Sequence, residues 1–125
     1  MPAKRIALLT PYELRTHHQL SSFFRDNAFE LTADGTFGKS TDAEIGELSR
    51  DAIFGAAKAL TQAKLPDAIF ISCTATPIVP HIESLERELG IPVITSSQAM
   101  AWDALRLASY RKPIKGFGAL LASQR

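Results

Sequence analysis

The chain has one cysteine, Cys73, within the run Ala68-Ile-Phe-Ile-Ser-Cys-Thr-Ala. A short apolar segment precedes it, and Thr74, Ala75, Thr76 and Pro77 follow. A thiol in a strand-to-helix turn has backbone amides and the positive end of the next helix close by, which favour the thiolate and also bind an anion. Such a group serves as a nucleophile or as a proton donor and acceptor. The opposing reading is an inert core thiol, since free cysteine is among the most buried residue types. The flanking hydroxyls favour chemistry. Tyr12, in Thr10-Pro11-Tyr12, stands where a hydroxyl can bond a substrate carboxylate or merely pack on a crevice rim.

Other chemistry-bearing residues give less. Adjacent helix positions diverge by about 100°, so His17 and His18 cannot chelate one metal together and read as exposed helix residues. His81, about two turns beyond Cys73, reads as a surface or interface residue rather than a base. Glu83 and Arg87 have the i, i+4 spacing of a solvated ion pair. Gly35 and Gly38 belong to no phosphate-binding loop, because no GxGxxG or GxxxxGK pattern follows the first apolar run. A single cysteine rules out an internal disulfide and a Cys-rich zinc site. No metal or cofactor is expected.

Short β-rich runs alternate with longer amphipathic ones, the mark of a parallel sheet flanked by helices. Arg5–Leu9 suits a strand covered on both faces. A helix follows from Glu13 to about Asp26, with Leu14, Leu20, Phe23 and Phe24 near helical spacing. Phe29–Ala33 reads as the second strand and Asp34–Ser40 as a polar, Gly-rich loop, after which Thr41 or Asp42 can cap a helical turn. Leu48 to about Lys64 is a second helix, with Ile53, Ala56, Ala57 and Leu60 on one face and Pro66 beyond its end. Ala68–Ser72 is the third strand. Thr76 and Pro77 suit the cap and first position of a helix running to Leu89 and stopping at Gly90. Ile91–Thr95 is the fourth strand, followed by a helix with Met100, Trp102, Leu105 and Leu107 on its apolar face. Gly116–Leu121 would add an edge strand or cover the sheet.

Right-handed crossovers then give a three-layer α-β-α, flavodoxin-like arrangement with a four-stranded parallel sheet in the order 2-1-3-4. Its ligand crevice lies beyond the carboxyl ends of the strands, at the switch between strands one and three. Thr10, Pro11 and Tyr12 arrive there from strand one and Ser72, Cys73 and Thr74 from strand three, flanked by Thr95, Ser96 and Ser97 from strand four.

Composition sets the frame. The 125 residues are 46% hydrophobic and 22% charged, with 14 Lys plus Arg against 13 Asp plus Glu. One domain over residues 1–125 is expected, large enough to hold a core without staples. The neutral balance argues against nucleic acid as a partner. No apolar run approaches the ~20 residues that span a bilayer. The N-terminal segment lacks a signal-peptide pattern, so a cytoplasmic protein with a reduced thiol is expected.

The run around Cys73, the opening Arg5-Ile-Ala-Leu-Leu-Thr-Pro-Tyr, and Leu85-Glu-Arg-Glu-Leu-Gly-Ile-Pro-Val-Ile-Thr-Ser-Ser-Gln-Ala-Met-Ala-Trp-Asp-Ala-Leu-Arg-Leu-Ala resemble the second half of maleate cis-trans isomerases. Those belong, with arylmalonate decarboxylases, to the aspartate/glutamate racemase superfamily. The resemblance implies one half of a two-domain fold whose active site lies between two similar halves. It implies a cofactor-independent isomerase or racemase of a small carboxylate or dicarboxylate, with Cys73 catalytic at the carbon next to a carboxylate. Tyr12 would hold that carboxylate and Thr74 would help to cradle it. Thr10, Pro11, Ala75, Ser96 and Ser97 complete the expected substrate-binding set, although Ser97 stands where the family commonly has Asn. The opposing half is missing, so the resemblance implies a homodimer or a separate first-half partner chain. Otherwise the chain is a non-catalytic carboxylate-binding or interaction module, or a piece of a longer enzyme.

Overall fold

The computed structural model describes residues 3–123. Its elements are β1 (Arg5–Tyr12), α1 (Leu14–Asp26), β2 (Glu30–Lys39), α2 (Asp42–Gly46), α3 (Arg50–Gln62), β3 (Ala68–Ile71), a 3-10 turn (Val79–His81), α4 (Ile82–Leu89), β4 (Val93–Thr95), α5 (Ser96–Leu107) and α6 (Ala119–Ala122). The four strands form one sheet in the order β2-β1-β3-β4, every pair parallel. The order 2-1-3-4 expected from the apolar runs is the order found.

Alternation along the strands divides the core. Ala7, Leu9, Ile69, Ile71 and Val93 share one face and pack with Ile53, Phe54 and Ala57 of α3 and with Ile82 and Leu85 of α4. Each of the Val, Leu, Ile and Phe side chains among them, fully removed from water, contributes about 1.5–3 kcal/mol. The opposite face, with Ile6, Leu8, Thr10 and Phe70, looks toward α1, where Phe24 packs against Phe70 at 5.5 Å between ring centroids. Helix ends follow local chemistry. Thr41 and Ser49 cap α2 and α3 by accepting the amides of Glu44 and Ala52. α4 stops at Gly90, which takes the left-handed conformation at φ 73°.

Several expectations change. Asp34–Ser40 is no loop up to Lys39: β2 runs beside β1 as far as the Tyr12–Lys39 pairing, with irregular register between Thr10 and Tyr12. As an edge strand it needs backbone pairing on one side only, so it tolerates a polar, Gly-rich sequence. Thr76 and Pro77 do not start a helix. Pro80 disfavours helical geometry at Val79, so a 3-10 turn intervenes and α4 begins at Ile82. Met100 and Leu107 are exposed rather than core-facing. Arg87 donates to Ser84 Oγ at 3.3 Å instead of bridging to Glu83. The tail covers the sheet through a helical turn: Leu121 is buried, and the Glu86 carboxylate accepts the amides of Val93 and Ala119.

Candidate active site

The parallel strands deliver their carboxyl ends to one rim. Ser72 extends β3 by donating its N–H to Leu9 O at 3.0 Å. The next residue, Cys73, has φ 87°, a left-handed conformation that L-residues other than Asn and Asp rarely adopt. Strain of this kind costs roughly 1–3 kcal/mol and persists only where its surroundings impose it. Here they do. The Cys73 N–H donates to Ser96 Oγ at 2.9 Å, the Thr76 hydroxyl donates to Ser72 O at 2.9 Å, and the Thr76 N–H donates to Cys73 O at 3.1 Å. The chain therefore turns sharply at Cys73 and leaves the residue half-buried, with a free thiol.

Ser96 is the first residue of α5. The helix N-terminus brought to Cys73 is thus that of α5, whereas α4, expected in that place, starts only at Ile82. A capping box fixes α5: Thr95 Oγ1 accepts the Gln98 N–H at 3.2 Å and Gln98 Oε1 accepts the Thr95 N–H at 3.0 Å.

Tyr12 meets this corner from β1. Its hydroxyl lies 2.8 Å from Ser72 Oγ. Burial pushes the Tyr12 phenol above its ordinary value; the Ser72 hydrogen bond works against this, while the Cys73 side chain and the Asp42 carboxylate add to the rise. Tyr12 and Ser72 also line an open groove of about 400 Å³ together with Thr16, Gln19, Leu20 and Phe23 of α1.

The structure thus brings Tyr12, Ser72, Cys73 and Ser96 together. Thr74 is exposed and Ala75 half-buried in the turn just beyond. Pro11 is buried in β1. Thr10 is also buried, and its hydroxyl turns away to His17 Nδ1 at 2.8 Å. Ser97 lines a different, apolar cavity of about 280 Å³, with Ile82, Gln98, Leu105, Phe117 and other residues of α5 and the tail. His17, expected at the surface, is 2% exposed, and its Nε2 lies 2.6 Å from Asp34 Oδ2. His18 is exposed as expected, and His81 packs edge-on against Phe54. The spacing of His17, Ser21 and Phe24 on the inner side of α1 is the signal that locates the buried histidine. Among the described residues, no three His, Cys, Asp or Glu side chains are grouped as a metal ion would need. No helix among them is long and apolar enough to cross a membrane.

Comparison with known proteins gives this geometry its context. A family model for arylmalonate decarboxylase matches residues 1–121. The chain belongs to the arylmalonate decarboxylase family. Within and around this family it is similar to a maleate isomerase of Nocardia farcinica, 26% identical over 121 residues, covering 97% of this chain and 48% of the relative. It is also similar to an arylmalonate decarboxylase of Bordetella bronchiseptica, 29% identical over 119 residues, covering 94% of this chain and 50% of the relative. The fold superposes with a TM-score of 0.90 and 27% identity on a cysteine-to-serine mutant of the N. farcinica maleate cis-trans isomerase that carries a covalently bound succinylcysteine intermediate. That superposition covers 96% of this chain and 49% of the other. The chain spans about half the length of the relatives it matches.

Proposed function

We propose that this family member catalyses cofactor-independent chemistry on a small carboxylate, most simply the cis-trans isomerisation of a maleate-like dicarboxylate, with Cys73 as the nucleophile. The observation that carries the reading is the strained turn that holds Cys73 at the strand end beside the Tyr12 hydroxyl. A succinyl adduct on cysteine in a relative of the same fold supports it. The Cys73 thiolate adds to one alkene carbon, and the π pair moves to the neighbouring carboxylate as an enediolate. The carbon–carbon bond, now single, rotates. The pair returns, re-forms the double bond in the trans geometry and expels the thiolate, so atoms, protons and electrons balance without a co-reactant. Tyr12, protonated at neutral pH, donates to the carboxylate where the negative charge develops. The Ser96 hydroxyl, whose oxygen already accepts the Cys73 amide, donates to a second oxygen. The first amides of α5 and the Thr74-Ala75 turn supply further anion stabilisation.

The chain's half-length bears on the second wall of the pocket. A homodimer would place two copies of Cys73 and Tyr12 across one crevice, as an isologous interface requires. Proton NMR of maleate incubated with the protein tests the chemistry. Fumarate should accumulate with the parent chain and not with folded Cys73→Ala; undiminished activity in that variant sinks the assignment. Light scattering and mixing with excess Cys73→Ala test the composite site, because a site needing both cysteines loses activity on mixing. An active monomer excludes it. Binding of maleate without turnover would instead favour a carboxylate-binding module.

A further inference from the structure

Among the described residues, the mechanism above leaves the buried His17 unused. Its ring sits between three elements. Nδ1 meets the Thr10 hydroxyl of β1 at 2.8 Å, Nε2 meets the Asp34 carboxylate of β2 at 2.6 Å, and the residue itself belongs to the second turn of α1. Nε2–H donates to the Asp34 carboxylate, and Nδ1 shares the second hydrogen bond with the Thr10 hydroxyl. The His18 ring lies 6.0 Å away between centroids.

These bonds close the turn that carries Tyr12. Tyr12 lies between Thr10 and the start of α1 at Leu14, and the Thr10–His17 bond spans that interval at its base. The His17 N–H also donates to Glu13 O at 3.0 Å, and the Ser21 hydroxyl donates to His17 O at 3.1 Å. From β2, the Thr36 hydroxyl donates to Tyr12 O, and just past the strand the Ser40 hydroxyl donates to Glu13 Oε1 at 2.5 Å. A side chain on a turn keeps a fixed direction only if the turn does, and buried hydrogen-bonded groups behind it supply that rigidity.

We infer that His17 is the positioning residue of Tyr12: bridged between Thr10 and Asp34, it holds the β1–α1 turn so that the Tyr12 hydroxyl faces Ser72 and the carboxylate-binding corner. The inference rests on the reading of Tyr12 as a substrate-binding group, but its first test does not need turnover.

That test is the titration of Tyr12 by NMR of ring-labelled tyrosine, assigned with Tyr12→Phe, in His17→Ala and His17→Gln. The glutamine amide spaces an acceptor for Thr10 and a donor for Asp34 much as imidazole does. In His17→Ala, the phenol should move out of its buried place and titrate lower, toward the ordinary tyrosine value; His17→Gln should restore the raised titration. Where the protein turns over maleate, His17→Ala should raise KM about tenfold with a smaller effect on kcat, again rescued by glutamine. A folded His17→Ala with an unchanged Tyr12 titration overturns the inference, even if the protein has no activity. Loss of activity without movement of Tyr12 also overturns it. Should His17→Ala fail to fold, Thr10→Val, which removes only the hydroxyl partner, is read by the same titration: a lowered value supports the inference and an unchanged one overturns it.

Discussion

The Tyr12 hydroxyl and Ser72 Oγ sit 2.8 Å apart, joining the carboxyl ends of β1 and β3 at the residue before Cys73. The bond makes the rim of the crevice a single unit: what moves Tyr12 also moves the base of the Cys73 turn. It also occupies the Tyr12 hydroxyl with a weak neutral partner, which a carboxylate, as a stronger acceptor, displaces readily.

Tyr12 sets an alkaline limit. Its folded pKa is raised, chiefly by burial. A raised value means that the folded state holds the proton more tightly, so the contribution is complete below the ordinary phenol value of about 10 and is lost as pH rises through the folded one. Thermal unfolding followed across that range should show stability falling on the alkaline side, and Tyr12→Phe should flatten the fall.

Asp67 sets the acid counterpart. Its carboxylate accepts the amides of Arg5 and Lys4 at 2.9 and 3.0 Å, and these bonds, Arg5 first, hold its pKa below the usual aspartate value. The stabilisation is present above the ordinary aspartate range and is lost as pH falls through the lowered folded value. Denaturant titrations at several pH values should find Asp67→Asn less stable at neutrality, with the gap closing in acid.

Cys73 should trade stability against chemistry. At φ 87°, a glycine would relieve a conformation that an alanine cannot. Cys73→Gly should therefore be more stable than Cys73→Ala by about 1 kcal/mol, and on the mechanism proposed neither should form fumarate. Equal midpoints in urea would show that the turn is unstrained.

Gly118 leaves no room for a side chain. A Cβ there would lie 2.5 Å from Ile82 Cγ2, on a backbone with φ 93°. Gly118→Ala should cost about 1–3 kcal/mol, visible as a lowered melting temperature.

The sheet order and the crevice were legible because the runs Arg5–Leu9 and Ala68–Ile71 are apolar enough to suit only strands covered on both faces. The left-handed turn was not legible: nothing in Ser-Cys-Thr marks Cys73 as different from an extended residue, and Ser96, which accepts the Cys73 amide, lies far along the chain. β2 was half-hidden because an edge strand need not alternate. That loss mattered, since Asp34 and Thr36, read as loop residues, are groups that grip the Tyr12 turn. On α1 the apolar pattern misled outright. Leu14 and Phe23 are each 58% exposed, while the side turned inward carries a histidine and a serine. A pattern of apolar residues alone passes over such a pair, whose i, i+4 spacing and continuation to Phe24 mark the inner side only when polar residues are counted too.

The capping box of α5 has a reach beyond its own helix. Besides capping, Gln98 donates from Nε2 to Phe117 O at 2.7 Å, while Ser96, in the same first turn, accepts the Cys73 amide. The Cys73 corner and the C-terminal tail are therefore fastened to one helical turn, a few residues wide. A protease that clips the chain ahead of Phe117 would never touch the crevice, yet it would slacken the anchor from which Cys73 is held. The tail is a remote splint for the Cys73 turn, and partial digestion should loosen that turn before it unfolds the protein.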